Sequence, residues 1–163
     1  MIPHITGSGE LHHVSIAVAS IAESLPFYRD TLGMRAGPIR ELADQRVRVV
    51  FLTAPNTRIE LIEPTDSESG VARFVAARGK PTLHHLCFVV DELRSTLEAL
   101  DARGVELIDR EPRPGADGDV AFLHPRASGG VLVELIDRSS LERPHTSEGG
   151  TEGRRDAIRP QRE

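Results

Sequence analysis

The chemistry in this sequence is concentrated in residues that occur twice. The histidine pairs His12-His13 and His84-His85 sit near the start of two related segments, Leu11-His12-His13-Val14-Ser15-Ile16-Ala17-Val18 and Leu83-His84-His85-Leu86-Cys87-Phe88-Val89-Val90. These lie 72 residues apart and share four identities in eight. Ile59-Glu60-Leu61-Ile62-Glu63 recurs 74 residues later as Val133-Glu134-Leu135-Ile136-Asp137, and Asp30-Thr31-Leu32-Gly33 answers to Asp101-Ala102-Arg103-Gly104. Three matches in one order, at nearly one offset, mark two copies of one module.

Side chains alternate across a strand, which separates the two histidines of each pair. His13 shares a face with Ser15 and Ala17, and His85 with Cys87 and Val89; these small neighbours leave room for a cleft. His12 and His84 fall on the faces of Val14, Ile16 and Val18 and of Leu86, Phe88 and Val90, so they are expected on the core side or its edge. Glu60 and Glu134 interrupt otherwise apolar strands, where an unpartnered carboxylate is costly to bury. Two histidines and two glutamates related by a repeat form a two-nitrogen, two-oxygen donor set. Such a set suits one divalent cation with positions left for water or substrate oxygens, the mixture found in catalytic rather than structural sites.

Each copy must contain the elements that position these groups. A short β-rich strand over 11–18 leads into Ser20-Ile21-Ala22-Glu23, which has the form of a capping box, and a helix over 21–32 that Gly33 stops. In the second copy Asp91 is expected to cap a helix over 92–103 ended by Gly104. Strand-like segments follow at 35–42, 46–54 and 57–63, and at 105–109, 119–124 and 131–137. Pro55-Asn56 turns a hairpin, Pro112–Gly118 is a loop, and a short helix near 70–78 ended by Gly79 joins the copies. The fold class is α+β: two βαβββ modules forming a curved mixed sheet around a metal-binding cleft. Module one spans 10–64, the linker 65–82 and module two 83–138, giving one domain over 10–138. Residues 1–9 form an N-terminal extension. The apolar-poor segment 139–163 reads as a disordered tail.

Composition removes whole classes of function. Twenty Lys+Arg against twenty-five Asp+Glu give a net charge of −5, which leaves no broad basic surface for nucleic acid. No run approaches the ~20 apolar residues that cross a bilayer. The first residues lack the pattern of a secretory signal, and the single cysteine cannot form an internal disulfide, so a cytoplasmic protein is expected.

At these residues the sequence resembles the vicinal oxygen chelate superfamily (the glyoxalase/bleomycin resistance group), built from paired βαβββ modules, and within it the methylmalonyl-CoA epimerase family. The resemblance covers residues 11–138. It rests on Phe27–Gly33, Thr57–Pro64, Leu83-His84-His85, Glu111–Ala116, Ala121–Arg126 and Gly129–Leu135; the last three blocks favour the epimerases. Carried over, the family's metal ligands fall on His13, Glu60, His85 and Glu134. The resemblance implies an isomerase that interconverts 2R and 2S methylmalonyl-CoA by α-proton abstraction and reprotonation through a metal-stabilised enolate. Its cofactor would be one divalent ion (cobalt, manganese, nickel or zinc) and its partner a small acyl-CoA thioester; a homodimer is compatible with it.

Glu134 and Glu60 are then the expected acid/base pair, with Glu134 ahead because it lies in the more specific motif. Two departures leave the second base open: some relatives carry an acid on the strand matching 46–51, where this chain has none, and relatives often have glutamine in place of Glu60. Alternative readings are a glyoxalase I-like lyase acting on a glutathione hemithioacetal and a metal-free ligand-sequestering protein of the same fold. Coenzyme A phosphates imply cations at the mouth of the site, and Arg58, Lys80, Arg113 and Arg126 lie in or beside the matching segments, but most exposed arginines are solvated surface charges and these four are left unassigned; Cys87 is read as a small core filler, and His124 as a turn residue.

Overall fold

The computed structural model describes residues 9–141; the expectations for residues 1–8 and 142–163 lie outside the described residues. Module one comprises β1 (Leu11–Ala17), α1 (Ile21–Pro26), β2 (Arg35–Ala36), β3 (Arg40–Leu42), β4 (Val47–Ala54) and β5 (Thr57–Pro64). Helix α2 (Gly70–Arg78) links it to β6 (Thr82–Val90), α3 (Leu93–Ala102), β7 (Arg113–Pro114), β8 (Asp119–Leu123), β9 (Leu132–Asp137) and α4 (Arg138–Leu141). The strands form one curved mixed sheet in the order β2-β4-β5-β1-β6-β9-β8-β7, with β3 also paired to β4. Within each module the first strand runs parallel to the last, β1 with β5 and β6 with β9, and the modules meet where β1 and β6 pair antiparallel. The order therefore reads the same outward from this central pair in either direction.

Two faces of the sheet follow from the alternation. On the convex face Val18, Val50, Leu52 and Leu61 pack against Ile21 of α1, and Val90, Ala121 and Leu135 against Leu93 and Leu97 of α3. Truncating one of these fully buried leucines to alanine typically costs ~2–5 kcal/mol. On the concave face Ala17, Val49 and Ile62 cluster beneath Val71 of α2, while Cys87, Val89, Val120 and Ile136 form the matching cluster of module two.

The repeated acids have a second use. Glu63 accepts from the Ile21 backbone N–H at 2.7 Å and Asp137 from the Leu93 N–H at 2.8 Å, so the carboxylate ending each module's last strand caps that module's helix. Helix N-termini leave such donors without internal partners.

Several elements differ from expectation for identifiable reasons. The helix over 21–32 is α-helical only to Pro26, which cannot donate to the Ala22 carbonyl. A wider π-turn follows over Phe27–Thr31, closed by Leu32 N–H on the Phe27 carbonyl at 3.0 Å. Glu92, not Asp91, caps α3: its carboxylate accepts from Ser95 N–H at 2.9 Å, while Asp91 pairs with Arg138. The segment 35–42 breaks into β2 and β3. At 105–109 only Leu107 bridges to Leu123, because the Asp109 carboxylate takes the Phe122 N–H at 2.9 Å and replaces a ladder bond. Ser139–Leu141, placed by the sequence reading in the tail, are helical, and Ser140 is buried with its hydroxyl accepting from Asp119 N–H. Among the described residues no helix is long and apolar enough to cross a membrane.

Candidate active site

Strand register brings the four singled-out side chains together. In module one Glu60 on β5 lies beside Ser15 on β1, two residues beyond His13, and opposite Phe51 on β4. In module two Glu134 on β9 lies beside Cys87 on β6, two residues beyond His85, and opposite Phe122 on β8. The antiparallel β1–β6 junction then places the two histidines against each other. His13 Nε2 stands 3.2 Å from His85 Nε2. Glu134 Oε2 lies 3.4 Å from the first nitrogen and 3.2 Å from the second, and Glu60 Oε2 lies 3.8 and 3.7 Å from them. All four side chains are buried, between 3% and 8% exposed.

Two carboxylates and two imidazoles, dry and converging on one point, would be strongly unfavourable without compensating charge. Burial, reinforced by the neighbouring His85, His12 and Arg58 charges, depresses His13 to about 2 and keeps it a neutral, lone-pair-bearing imidazole. Burial works the same way on His85, but its hydrogen bond to Glu134 and the charges of Glu134 and Glu60 outweigh it and raise its affinity for a proton. Burial pushes Glu60 up to about 7; the Glu134 charge adds to the shift, while His85 and a 2.6 Å hydrogen bond from the Ser15 hydroxyl oppose it. Donor atoms of His13, Glu60 and His85 all lie within 4.8 Å of one another. By number, chemistry and convergence this set fits a divalent cation. A second group, His12, His13 and Cys87, is also close. There burial, aided by Glu134, holds the Cys87 thiol protonated far above its usual range, which disfavours the thiolate a metal needs.

Beside the quartet opens a cavity of about 510 Å³. Val49, Phe74, Ile108 and Leu132 give it apolar walls, and the carboxylates of Glu60 and Glu134 reach it together with His84, His85 and Arg113. Part of its boundary is the loop after β7. Gln45 donates to the Pro114 carbonyl at 3.1 Å, Arg40 to the Ala116 carbonyl at 2.6 Å and to Asp117 at 3.1 Å, and Arg58 pairs with Asp117. A module-two loop is thereby strapped to module one. Its glycines are required by proximity: a Cβ at Gly118 would collide with the Ser140 hydroxyl, and one at Gly115 would stand 2.8 Å from a Val120 methyl.

Several participants escape the sequence reading. Phe51 packs edge-on against His13 with centroids 5.2 Å apart, and Phe122 against His85 at 5.3 Å. Arg58 lies 4.1 Å over Phe51 and Arg113 5.2 Å over Phe122, so two arginines that the sequence leaves unassigned back the aromatic walls of the site. The strand alternation that selects the histidines also puts Phe51 and Phe122 on the concave face, but nothing in the sequence sets them apart from core aromatics. His12 and His84 are more engaged than a core or edge placement implies: each Nδ1 meets the neighbouring histidine's Nδ1 at 2.8 Å, and His84 also borders the cavity against Phe74. Of the other arginines and histidines, Arg126 pairs with Glu106 at 2.5 Å, and His124 caps a short 3₁₀ turn, as its turn reading implies.

Comparison with known proteins agrees with this architecture. The family described as the Glyoxalase/Bleomycin resistance protein/Dioxygenase superfamily matches residues 12–122. The ethylmalonyl-CoA/methylmalonyl-CoA epimerase of Cereibacter sphaeroides is 38% identical over 129 residues, covering 78% of this chain and 96% of that protein. Crystallised methylmalonyl-CoA epimerase from Mycobacterium tuberculosis superimposes with a TM-score of 0.76 at 32% identity, over 84% of this chain and 91% of the other. A methylmalonyl-CoA epimerase solved in complex with methylmalonyl-CoA and NH4+ gives 0.75 at 29% identity, over 83% and 99%. The chain therefore belongs to the glyoxalase/bleomycin resistance/dioxygenase superfamily and, within it, to the methylmalonyl-CoA epimerase family.

Proposed function

We propose that this chain is a metal-dependent isomerase that interconverts the 2R and 2S forms of methylmalonyl-CoA. The observation that carries the reading is the convergence of His13, His85, Glu60 and Glu134, one imidazole and one carboxylate from each module, beside a largely apolar cavity. Family membership supplies the substrate class.

Inversion at the carbon between a thioester and a carboxylate requires loss of a weakly acidic C–H proton and return of a proton to the opposite face. His13, His85, Glu60 and Glu134 would hold the divalent cation. Bound there, it would supply Lewis-acid stabilisation of the charge that develops on the thioester oxygen. The protein's own groups do the rest. Glu134 and Glu60 come from opposite modules, so a substrate lying between them presents one face to each. Glu134 removes the α-proton; Glu60, from the opposite module, returns one to the other face. The reverse reaction exchanges their roles. Positioned acid/base groups of this kind contribute ~10²–10⁴-fold. The cavity's apolar walls keep water from the carbanion, and Phe51 and Phe122 hold the two imidazole rings at fixed angles.

The direct test mixes purified full-length protein with (2S)-methylmalonyl-CoA before and after addition of one equivalent of Co²⁺ or Zn²⁺. Formation of the 2R form, stimulated by the metal, is expected. No interconversion under either condition would refute the assignment, and efficient formation of lactoylglutathione from methylglyoxal and glutathione would move the chain to the lyases of the same fold.

A further inference from the structure

The two histidine pairs differ in what holds their outer members. In module two the outer ring, His84, packs edge-on against Phe74 with centroids 5.0 Å apart. In module one the outer ring, His12, presents Nε2 to the Arg58 guanidinium at 3.0 Å. Arg58 is in turn paired with Asp117 of the strap loop, and its buried Nε meets no acceptor.

Counting donors along this chain gives one consistent set of proton positions. A guanidinium can only donate, so His12 Nε2 must accept. The His12 proton then sits on Nδ1, which donates to His13 Nδ1 at 2.8 Å. His13 must therefore accept at Nδ1 and carry its proton on Nε2, the nitrogen that faces His85 and Glu134. A histidine that ligates a cation through Nε2 needs the opposite tautomer, with its proton on Nδ1. That proton would turn His12 around and leave two donors facing each other at Arg58.

From this conflict we propose that Arg58 is a positioning residue that gates metal loading. Through His12 it holds His13 in the tautomer that cannot ligate, and loading requires the Arg58–His12 bond to open. Because Arg58 is also fastened to Asp117, filling the site is coupled to the strap that borders the cavity. This rests on the metal-binding part of the function proposed above, though not on its substrate.

Two measurements test it. In the first, the full chain labelled with ¹⁵N-histidine and stripped of metal is examined by two-bond ¹H–¹⁵N correlation, which distinguishes the tautomers directly. His13 should carry its proton on Nε2 and His12 on Nδ1, and one equivalent of Zn²⁺ should invert both. A metal-free His13 already protonated on Nδ1 would overturn the proposal. Failure of Zn²⁺ to bind at all would instead count against the function proposed above, and the metal-free spectrum would still decide the tautomer. In the second, Zn²⁺ affinity is measured for R58M, H12F and the double variant after their thermal transitions confirm folding. R58M should bind about tenfold more tightly, the scale on which groups behind metal ligands act. In the H12F background the same change should do nothing. Weaker binding by R58M, or an equal gain in both backgrounds as simple removal of a positive charge would give, would contradict a gate that works through His12.

Discussion

Phe51 and Phe122 occupy the same place in the two modules: each lies opposite a site glutamate across an antiparallel ladder and packs edge-on against a site histidine. The pseudo-twofold thus extends past the four converging side chains to the walls that orient them. It breaks just behind those walls, where Arg58 reaches His12 and Arg113 bonds Asp109 at 3.1 Å instead. The copies thus match at the converging side chains and differ in the arginine contacts behind them.

Glu60 gives the metal-free protein a pH signature. Its carboxyl is raised from 4.5 to about 7, first by burial and also by the Glu134 charge. Between those values the folded chain keeps a proton that the unfolded chain releases, so stability falls as pH rises through this window. Thermal melts of the metal-stripped wild type and E60Q from pH 4.5 to 8 should show the variant gaining relative stability as pH rises. Parallel curves would mean that Glu60 is not held protonated.

The capping acids separate stability from the site. Burial alone would raise Asp137, but bonds from the Ser139 hydroxyl and the Leu93 N–H hold its carboxyl below the ordinary range. The stability it confers is present above the unfolded-state value and is lost as pH falls toward the folded one. D137A should cost about 1–2 kcal/mol at neutral pH, seen as a lower urea midpoint, while Zn²⁺ affinity stays unchanged.

Cys87 lies on the cleft face yet is fully buried, and burial with the Glu134 charge suppresses its thiolate. Iodoacetamide should fail to label the native protein and should label it in 6 M guanidinium. C87A should retain substantial epimerisation. Rapid native labelling, or loss of activity comparable to that of E134Q, would give the sulfur a role this structure does not.

Much of the site was legible because repeats and strand alternation act on named residues. The two offsets paired His13 with His85 and Glu60 with Glu134, and period-two alternation chose the inner histidine of each pair. What stayed hidden depends on distances across the sheet. Arg58 reads as any surface arginine until the hairpin closed by Pro55-Asn56 carries it under His12 and the strap brings Asp117 to it. The second acid of each repeat, Glu63 or Asp137, looks like a strand end until the chain returns its helix start to that carboxylate. The strand expected over 105–109 is reduced to a single bridge because Asp109's side chain competes with the ladder, a local event with no periodic trace.

Deuterium incorporation bears most directly on the paired acid/base claim. Methylmalonyl-CoA of one configuration is incubated in D₂O with metal-loaded wild type, E134Q and E60Q, and wash-in at the α-carbon is followed by mass spectrometry. Wild type should exchange and invert; E134Q should lose at least ~10²-fold of the exchange from its face, and E60Q should lose inversion. Exchange and inversion at wild-type rates in both variants would show that the protons are moved by other groups.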